Sequence, residues 1–419
     1  MSSRASAASR GIPIACALLF LAARIALFYT RQPFFDELFT VWITSKPFGG
    51  IVHALLSDSG PPLYYFVVHA LTTHSVVTAR IVSLACATIS FALILGGAAA
   101  LVRPRGETAL PRRWRTTASA LLAVFPPAVL FAVDARAYAM CAMFVTIGVL
   151  ALDGDRYDVA AIAFVFAAYS HYYGFLFFPL LIKNWKWLAA AIVAFAPGLW
   201  LAQHQPSAAT AWIGRIPSWP DGLFARPPLA LLIIALSLII VALVRWNRFA
   251  TMVAVPIVFA LVLTVAGRSV YLPLRFESVI APPLVLAIAK SFESKKILAI
   301  ALGVAFAFFT AIGIVDHRTR PIDDYRAAAM LTKQLKGPIV ASGYLYLETV
   351  VNARSDVIAY PAKQAEHPGW RAMPDGSAPP PGAFYWIGER AAPEVSILRR
   401  TRKVQVIYMN TRAMIARVM

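Results

Sequence analysis

Apolar side chains fall along this chain in unbroken blocks. Between Gly11 and Val315 there is little of the alternation that marks a half-buried strand or the one-sided periodicity of a surface helix. A helix that is apolar all the way round must be buried on every side, and about 20 such residues match the thickness of a bilayer's hydrocarbon core. The pattern predicts eleven such runs: Gly11–Tyr29, Arg80–Val102, Thr116–Val133, Ala137–Leu152, Val159–Tyr169, Gly174–Ile182, Leu188–Ala202, Pro228–Val244, Phe249–Ala266, Ser278–Ala289 and Ile297–Val315. The first follows an arm containing Arg4 and Arg10 and has no small-residue cleavage site, so it reads as a retained span with a cytoplasmic N-terminus.

Pro61–Thr72 is apolar but ambiguous. If it lies in the outer interface, then Arg103, Arg105, Arg112, Arg113, Arg115, Lys183, Lys186, Arg245, Arg248, Lys290, Lys295 and Lys296 all fall on the inner side, as the positive-inside bias requires. The expected chain is therefore N-in and C-out. Its outer loops are Thr30–Ala79, Asp134–Arg136, Ser170–Tyr173, Gln203–Pro227 and Gly267–Glu277. The longest, Thr30–Ala79, is too apolar for a solvated loop and predicts interfacial helices.

After Val315 the pattern changes. Asp323–Lys336 reads as an amphipathic helix, Pro338–Ser342 as a buried strand, Tyr346–Arg354 as a helix, and Phe384–Gly388 and Val404–Tyr408 as strands, with Ser377–Gly382 as a Pro-rich loop. The expected architecture is an all-α polytopic membrane domain over residues 1–315 and a small α/β domain over 316–419 on the outer face.

Composition agrees: 59% of residues are apolar and 14% charged, against about a quarter charged in soluble proteins. That excludes a soluble globular enzyme, a disordered chain and a disulfide-stapled domain. The three cysteines, Cys16, Cys86 and Cys141, lack metal or redox spacing and read as small buried hydrophobes. The net charge of +19 belongs to the inner loops and the C-terminal domain, and is read against a membrane rather than as a nucleic-acid footprint.

Candidate chemistry gathers in the outer loops. Asp36 and Glu37 stand side by side in an apolar segment, where a carboxylate is expensive unless it pairs, binds a cation or moves protons; the alternative is a pair solvated among headgroups. Asp58 precedes Gly60-Pro61-Pro62-Leu63-Tyr64-Tyr65, and by spacing alone it caps the helix that the prolines open. Asp134-Ala-Arg136 and Ser170-His171-Tyr172-Tyr173 follow apolar runs; Arg136 and His171 suit a phosphate, with an Asp134–Arg136 ion pair as the alternative. Arg275 and Glu277 close the last outer loop. There is no phosphate-cradling G-x-x-x-x-G-K-[ST] loop and no H-E-x-x-H or His/Cys cluster, so no nucleotide site is indicated. Asp36, Glu37, Asp58 and Asp134 are the residues that could hold a hard divalent cation.

An acidic pair after the first span, Asp58-x-x-Pro-Pro-Leu-Tyr-Tyr, Ala135-Arg136-x-Tyr138-Ala139, His171-Tyr-Tyr and Arg275-Phe276 before a proline-bearing span occur in that order over Ile12–Val315. This order resembles the GT-C membrane glycosyltransferases. Within them it is most similar to the bacterial branch related to protein O-mannosyltransferases and the lipid A aminoarabinose transferase. The resemblance implies transfer of a sugar from a polyprenyl-phosphate donor to a lipid, glycan or protein acceptor at the outer face of a bacterial inner membrane. It implies Asp36 as catalytic base with Glu37 as second acid, Asp58 as an acid of the loop before Pro-Pro, and Arg136 and Arg275 at the donor phosphate, beside which His171 reads from the residues as a further phosphate contact. Asp134 stands at an acidic position of the family, and Glu277, from its place in the last outer loop, reads as a further site acid. Gly60 stands where relatives often carry Lys or His, and Asp134 where they often carry Glu. The competing classes are a transporter, disfavoured because the charges collect at one face, and a scaffold, which leaves the acidic pair unexplained.

Overall fold

The computed structural model describes residues 2–31, 33–56, 58–71, 73–96, 110–206, 229–268, 270–319, 325–342, 344–360, 380–390 and 392–419. Arg103, Arg105, most of the Gln203–Pro227 loop, Asp323 and Ser377 lie outside them. The chain divides into two compact units, one of residues 1–31, 80–200 and 213–319, the other of residues 32–79, 201–212 and 320–419.

The first unit is helical, as runs without turn residues in a waterless environment must be, since only a helix satisfies its own backbone. Five helical segments among the described residues are long and apolar enough to cross a membrane: Ile12–Thr30, Val76–Gly96, Tyr172–His204, Arg248–Val265 and Lys296–Val315. Shorter apolar helices occupy Tyr138–Asp153, Tyr157–Ser170 and Ala230–Val244. Arg275–Ser291 is a further helix, almost entirely buried.

Three of the eleven expected runs take a different form. Gly174–Ile182 and Leu188–Ala202 are joined, because a 3₁₀ segment at Tyr172–Asn184 passes directly into the α-helix Trp185–His204. The linking Lys183-Asn184-Trp185-Lys186-Trp187 contains neither Gly nor Pro to turn the chain. Thr116–Val133 is broken instead: a helix over Arg112–Val124 ends at extended Phe125, and a short one follows over Pro126–Leu130.

The break has a definite repair. Pro126 and Pro127 cannot donate to the carbonyls of Leu122 and Ala123 four residues back. The guanidinium of Arg24, only 1% exposed, donates instead to Leu122 O at 3.2 Å and to Ala123 O at 3.0 Å. Thr310 Oγ1 donates to Val124 O at 2.8 Å.

Close approach of small residues packs the middle of this unit, as expected where lipid gives helices no hydrophobic reason to associate. A Cβ on Gly148 would stand 2.3 Å from the Phe164 ring, and one on Gly174 would stand 2.2 Å from the backbone of Ala167. Cys16, Cys86 and Cys141 are free and buried.

The second unit begins with three short helices, Phe35–Thr44, Phe48–Leu55 and Leu63–His69. The last has seven residues, about 10 Å of rise against a core of about 30 Å, so the Pro61–Thr72 segment is too short a helix to cross. Its C-terminal part is a five-stranded sheet of β1 (Ile339–Ser342), β2 (Val357–Tyr360), β3 (Phe384–Glu389), β4 (Val404–Met409) and β5 (Ala413–Val418) in the order β2-β1-β3-β5-β4. β1 runs parallel to β2 and β3, whereas β5 is antiparallel to β3 and β4. Val340, Phe384, Trp386, Met414, Ala416 and Val418 form the core on one face, covered by Val395 and Leu398 of the helix Pro393–Thr401. The helix Tyr344–Asn352 packs against Phe35–Thr44. The expected Asp323–Lys336 helix is shorter, Tyr325–Leu331 followed by a 3₁₀ turn.

Candidate functional site

In the first unit, the turn after Leu130, the junction at Ser170–His171 and the start of the helix Arg275–Ser291 bring Arg136, Tyr138, His171 and Arg275 together. Arg275 Nη1 donates to the Tyr138 hydroxyl at 3.2 Å, with the guanidinium carbon 5.8 Å from the centre of that ring. The same ring lies 4.9 Å from the His171 ring, and Tyr173 follows at 4.3 Å. Burial, with the charges of Arg136 and Arg275 nearby, lowers the His171 imidazole to about 3, so it is neutral near pH 7. Its Nδ1 accepts from the Tyr173 backbone N–H at 3.2 Å, which leaves the ring proton on Nε2. His171 therefore offers a neutral N–H donor, not a third cation.

Leu274 enters the helix with φ +69° and ψ −39°, close to the strained classic γ-turn. This kink precedes Arg275 directly. Two residues on, the Tyr271 hydroxyl donates to Glu277 Oε1, while Glu277 Oε2 is buried without a hydrogen-bond partner. Burial raises the Glu277 carboxyl above its ordinary range despite the tyrosine. Two guanidiniums, a neutral imidazole N–H and a tyrosine hydroxyl make a compact set of donors for an anionic group.

Asp134 is completely buried and forms an ion pair with Arg31. Arg31 entered neither the functional reading of Asp134 nor the Asp134–Arg136 alternative. Its signal is a cation at the end of an apolar run, where charge is functional or structural by default.

In the second unit, Glu37 is fully buried and its Oε2 accepts from the Phe34 backbone N–H at 3.3 Å, capping the helix that it opens. That excludes a solvated acidic pair. Asp36 is half-buried on the same turn. Asp58 does not cap the helix after the prolines. That helix begins at Leu63 with Pro62 at its N-cap position and no side-chain cap bond. The Asp58 turn is instead held through Gly60 by Gln205, whose amide bonds the Gly60 N–H and carbonyl. Among the described residues, no three His, Cys, Asp or Glu side chains gather as a metal-ligand set.

Two solved structures share this fold over nearly the whole chain. The crystal structure of ArnT from Cupriavidus metallidurans in the apo state matches with a TM-score of 0.64 at 11% identity, covering 99% of this chain and 98% of that one. That of ArnT from the same organism bound to undecaprenyl phosphate matches with a TM-score of 0.58 at 14% identity, covering 96% and 97%. No family model and no curated protein matches the sequence. At such identity the likeness establishes the fold: the chain has the GT-C fold that its motif order resembles, that of a multi-pass membrane protein with a small C-terminal sheet.

Proposed function

We propose that this chain is a glycosyltransferase that moves a hexosyl or pentosyl group from a polyprenyl-phosphate carrier to an acceptor hydroxyl at the outer face of a bacterial inner membrane. The observation that carries the proposal is the donor set of Arg136, Arg275, Tyr138 and the neutral His171, in a fold shared with a protein solved with undecaprenyl phosphate. A polyprenyl phosphate leaves readily once its charge is held. The acceptor oxygen then forms the new bond to the sugar's anomeric carbon, the bond to the phosphate oxygen breaks, and the electron pair departs on the phosphate. Asp36 takes the acceptor's proton as the new bond forms. Residues 1–315 supply the transfer machinery, and residues 316–419 stand on the outer side.

The test uses the purified full chain in lipid vesicles with radiolabelled polyprenyl-phosphate sugars and a bacterial membrane extract. Label should move from donor to an acceptor fraction, with release of polyprenyl phosphate. Retention of all label on the donor across hexose and pentose carriers overturns the proposal, and label carried across the vesicle membrane without transfer is the result a transporter would give.

A further inference from the structure

The Arg31–Asp134 pair belongs to a closed frame. Asp134 is 0% exposed and Arg31 6%, and two ions taken out of water repay their desolvation only in good geometry with further hydrogen bonds. One such bond lies on the Arg31 guanidinium, whose Nη1 also donates to Leu130 O at 3.2 Å. The Arg31 carbonyl accepts from Arg80 Nη1 at 2.9 Å, and the same nitrogen reaches Phe28 O at 3.2 Å, so Arg80 closes the carbonyl end of the first helix. One turn along from Arg80, Ser83 is fully buried and donates to the Arg136 carbonyl at 3.1 Å. The Arg136 N–H donates to Asp134 O at 2.7 Å.

Three segments thus lock one another: the end of the first helix, the helix Val76–Gly96 and the turn that bears Asp134. Arg136 is held by its backbone on both sides, through its N–H and its carbonyl, and its guanidinium stands near His171. The frame fixes where that cation stands while spending the charge of Asp134 on Arg31.

We propose that Arg31, Arg80, Ser83 and Asp134 are positioning residues that set the Arg136 guanidinium for an anionic lipid phosphate, and that Asp134 is neither acid, base nor metal ligand in the reaction. The inference rests on the donor-phosphate reading of Arg136. It accounts for a buried ion pair that is otherwise a weak source of stability, because a misplaced cation loses affinity even when the fold survives.

The experiment titrates undecaprenyl phosphate into the full chain in detergent, at a temperature where each variant is folded, and reads both the dissociation constant and the number of sites. Asp134→Asn should raise Kd about tenfold with the number of sites unchanged, and Ser83→Ala, which leaves no buried charge behind, about threefold. A merely structural role would lower the number of sites and leave Kd alone. Unchanged Kd in Asp134→Asn overturns the inference while leaving the donor reading intact; should that variant not fold, an unchanged Kd in Ser83→Ala does the same. A wild-type chain that binds no undecaprenyl phosphate overturns the donor reading, and the inference with it.

Discussion

Gln205 grips Gly60 with both ends of its amide. Its Nε2 donates to Gly60 O at 2.9 Å and to Leu55 O at 2.8 Å, and its Oε1 accepts from Gly60 N at 3.3 Å. The side chain thereby pairs with the backbone much as a neighbouring strand would. Gly60 sits at φ +141°, a conformation open to glycine and strained for any residue with a Cβ. A residue 145 positions away in sequence therefore shapes the turn that carries Asp58.

Replacing Gln205 with Ala should free that turn. Three hydrogen bonds with a net worth of about 0.5–1.5 kcal/mol each are removed, but the loop is half-exposed and water recovers part of the loss. Gln205→Ala should cost about 1–3 kcal/mol in thermal unfolding and speed deuterium exchange at the Gly60 amide, with exchange in the β1–β5 sheet unchanged. Wild-type exchange at Gly60 would show that the amide is not what holds it.

The Arg24 repair predicts a thermodynamic cycle. Arg24→Met keeps length and apolar bulk but leaves Leu122 O and Ala123 O without their donor, and buried groups left unpaired cost about 1–3 kcal/mol each. Unfolding in detergent should therefore shift down by about 2–5 kcal/mol. Pro126→Ala with Pro127→Ala restores backbone N–H groups to those carbonyls, so in that background Arg24→Met should cost less than half as much. Equal costs in the two backgrounds would mean that the guanidinium does not stand in for the prolines.

These relationships also mark where the sequence stops being readable. Most apolar helices of the first unit could be placed because hydropathy decides them, though not the junction at Asn184–Trp185 or the break at Phe125, and β1, β3 and β4 because short apolar runs lie between turn residues. The strand Val357–Tyr360 is only four residues of intermediate burial, and Ala413–Val418 mixes Arg417 into an apolar run; both depend on neighbours that no local pattern announces. In the candidate site, Arg136, His171 and Arg275 stood out as polar residues between apolar runs. Arg31, Arg24 and Arg80 did not, because each sits inside or beside a span and gains its role from a partner roughly 50 to 100 positions away.

His171 should govern part of the acid stability. Its folded value of about 3 lies below the ordinary value of about 6.5, so below pH 6.5 the unfolded chain binds a proton that the folded one refuses. The stability it lends is fully present above about pH 6.5 and falls as pH drops from there toward 3, with a slope of at most about 1.4 kcal/mol per pH unit. His171→Gln has no such titration, and its unfolding temperature should decline less steeply than wild type between pH 6.5 and 4. Parallel pH profiles would place a protonated ring in the folded protein.

Arg275 should act through its fork as well as its charge. It donates to the Tyr138 hydroxyl through one nitrogen, and a planar guanidinium carries several donors in a fork that can meet a second group as a single ammonium cannot. Arg275→Ala should abolish detectable binding of undecaprenyl phosphate, and Arg275→Lys should recover only part of it. Full binding by Arg275→Ala would reduce the residue to an interfacial anchor.

Asp36 carries the sharpest prediction about chemistry. Its neighbour Glu37 is spent on the Phe34 N–H and fully buried, whereas Asp36 opens the same turn half-buried. A reacting hydroxyl needs a fixed carboxylate to receive its proton, and losing a positioned base costs about 10²–10⁴-fold in rate. Asp36→Asn keeps the size and the helix start but cannot accept that proton. It should reduce sugar transfer by that factor while leaving undecaprenyl phosphate affinity and unfolding temperature within error of wild type. Glu37→Gln should behave differently, lowering stability through its weakened cap before it lowers the rate per folded molecule. Transfer by purified Asp36→Asn within about threefold of wild type, far short of that loss, would move the base to another residue, with Asp58 the next to replace.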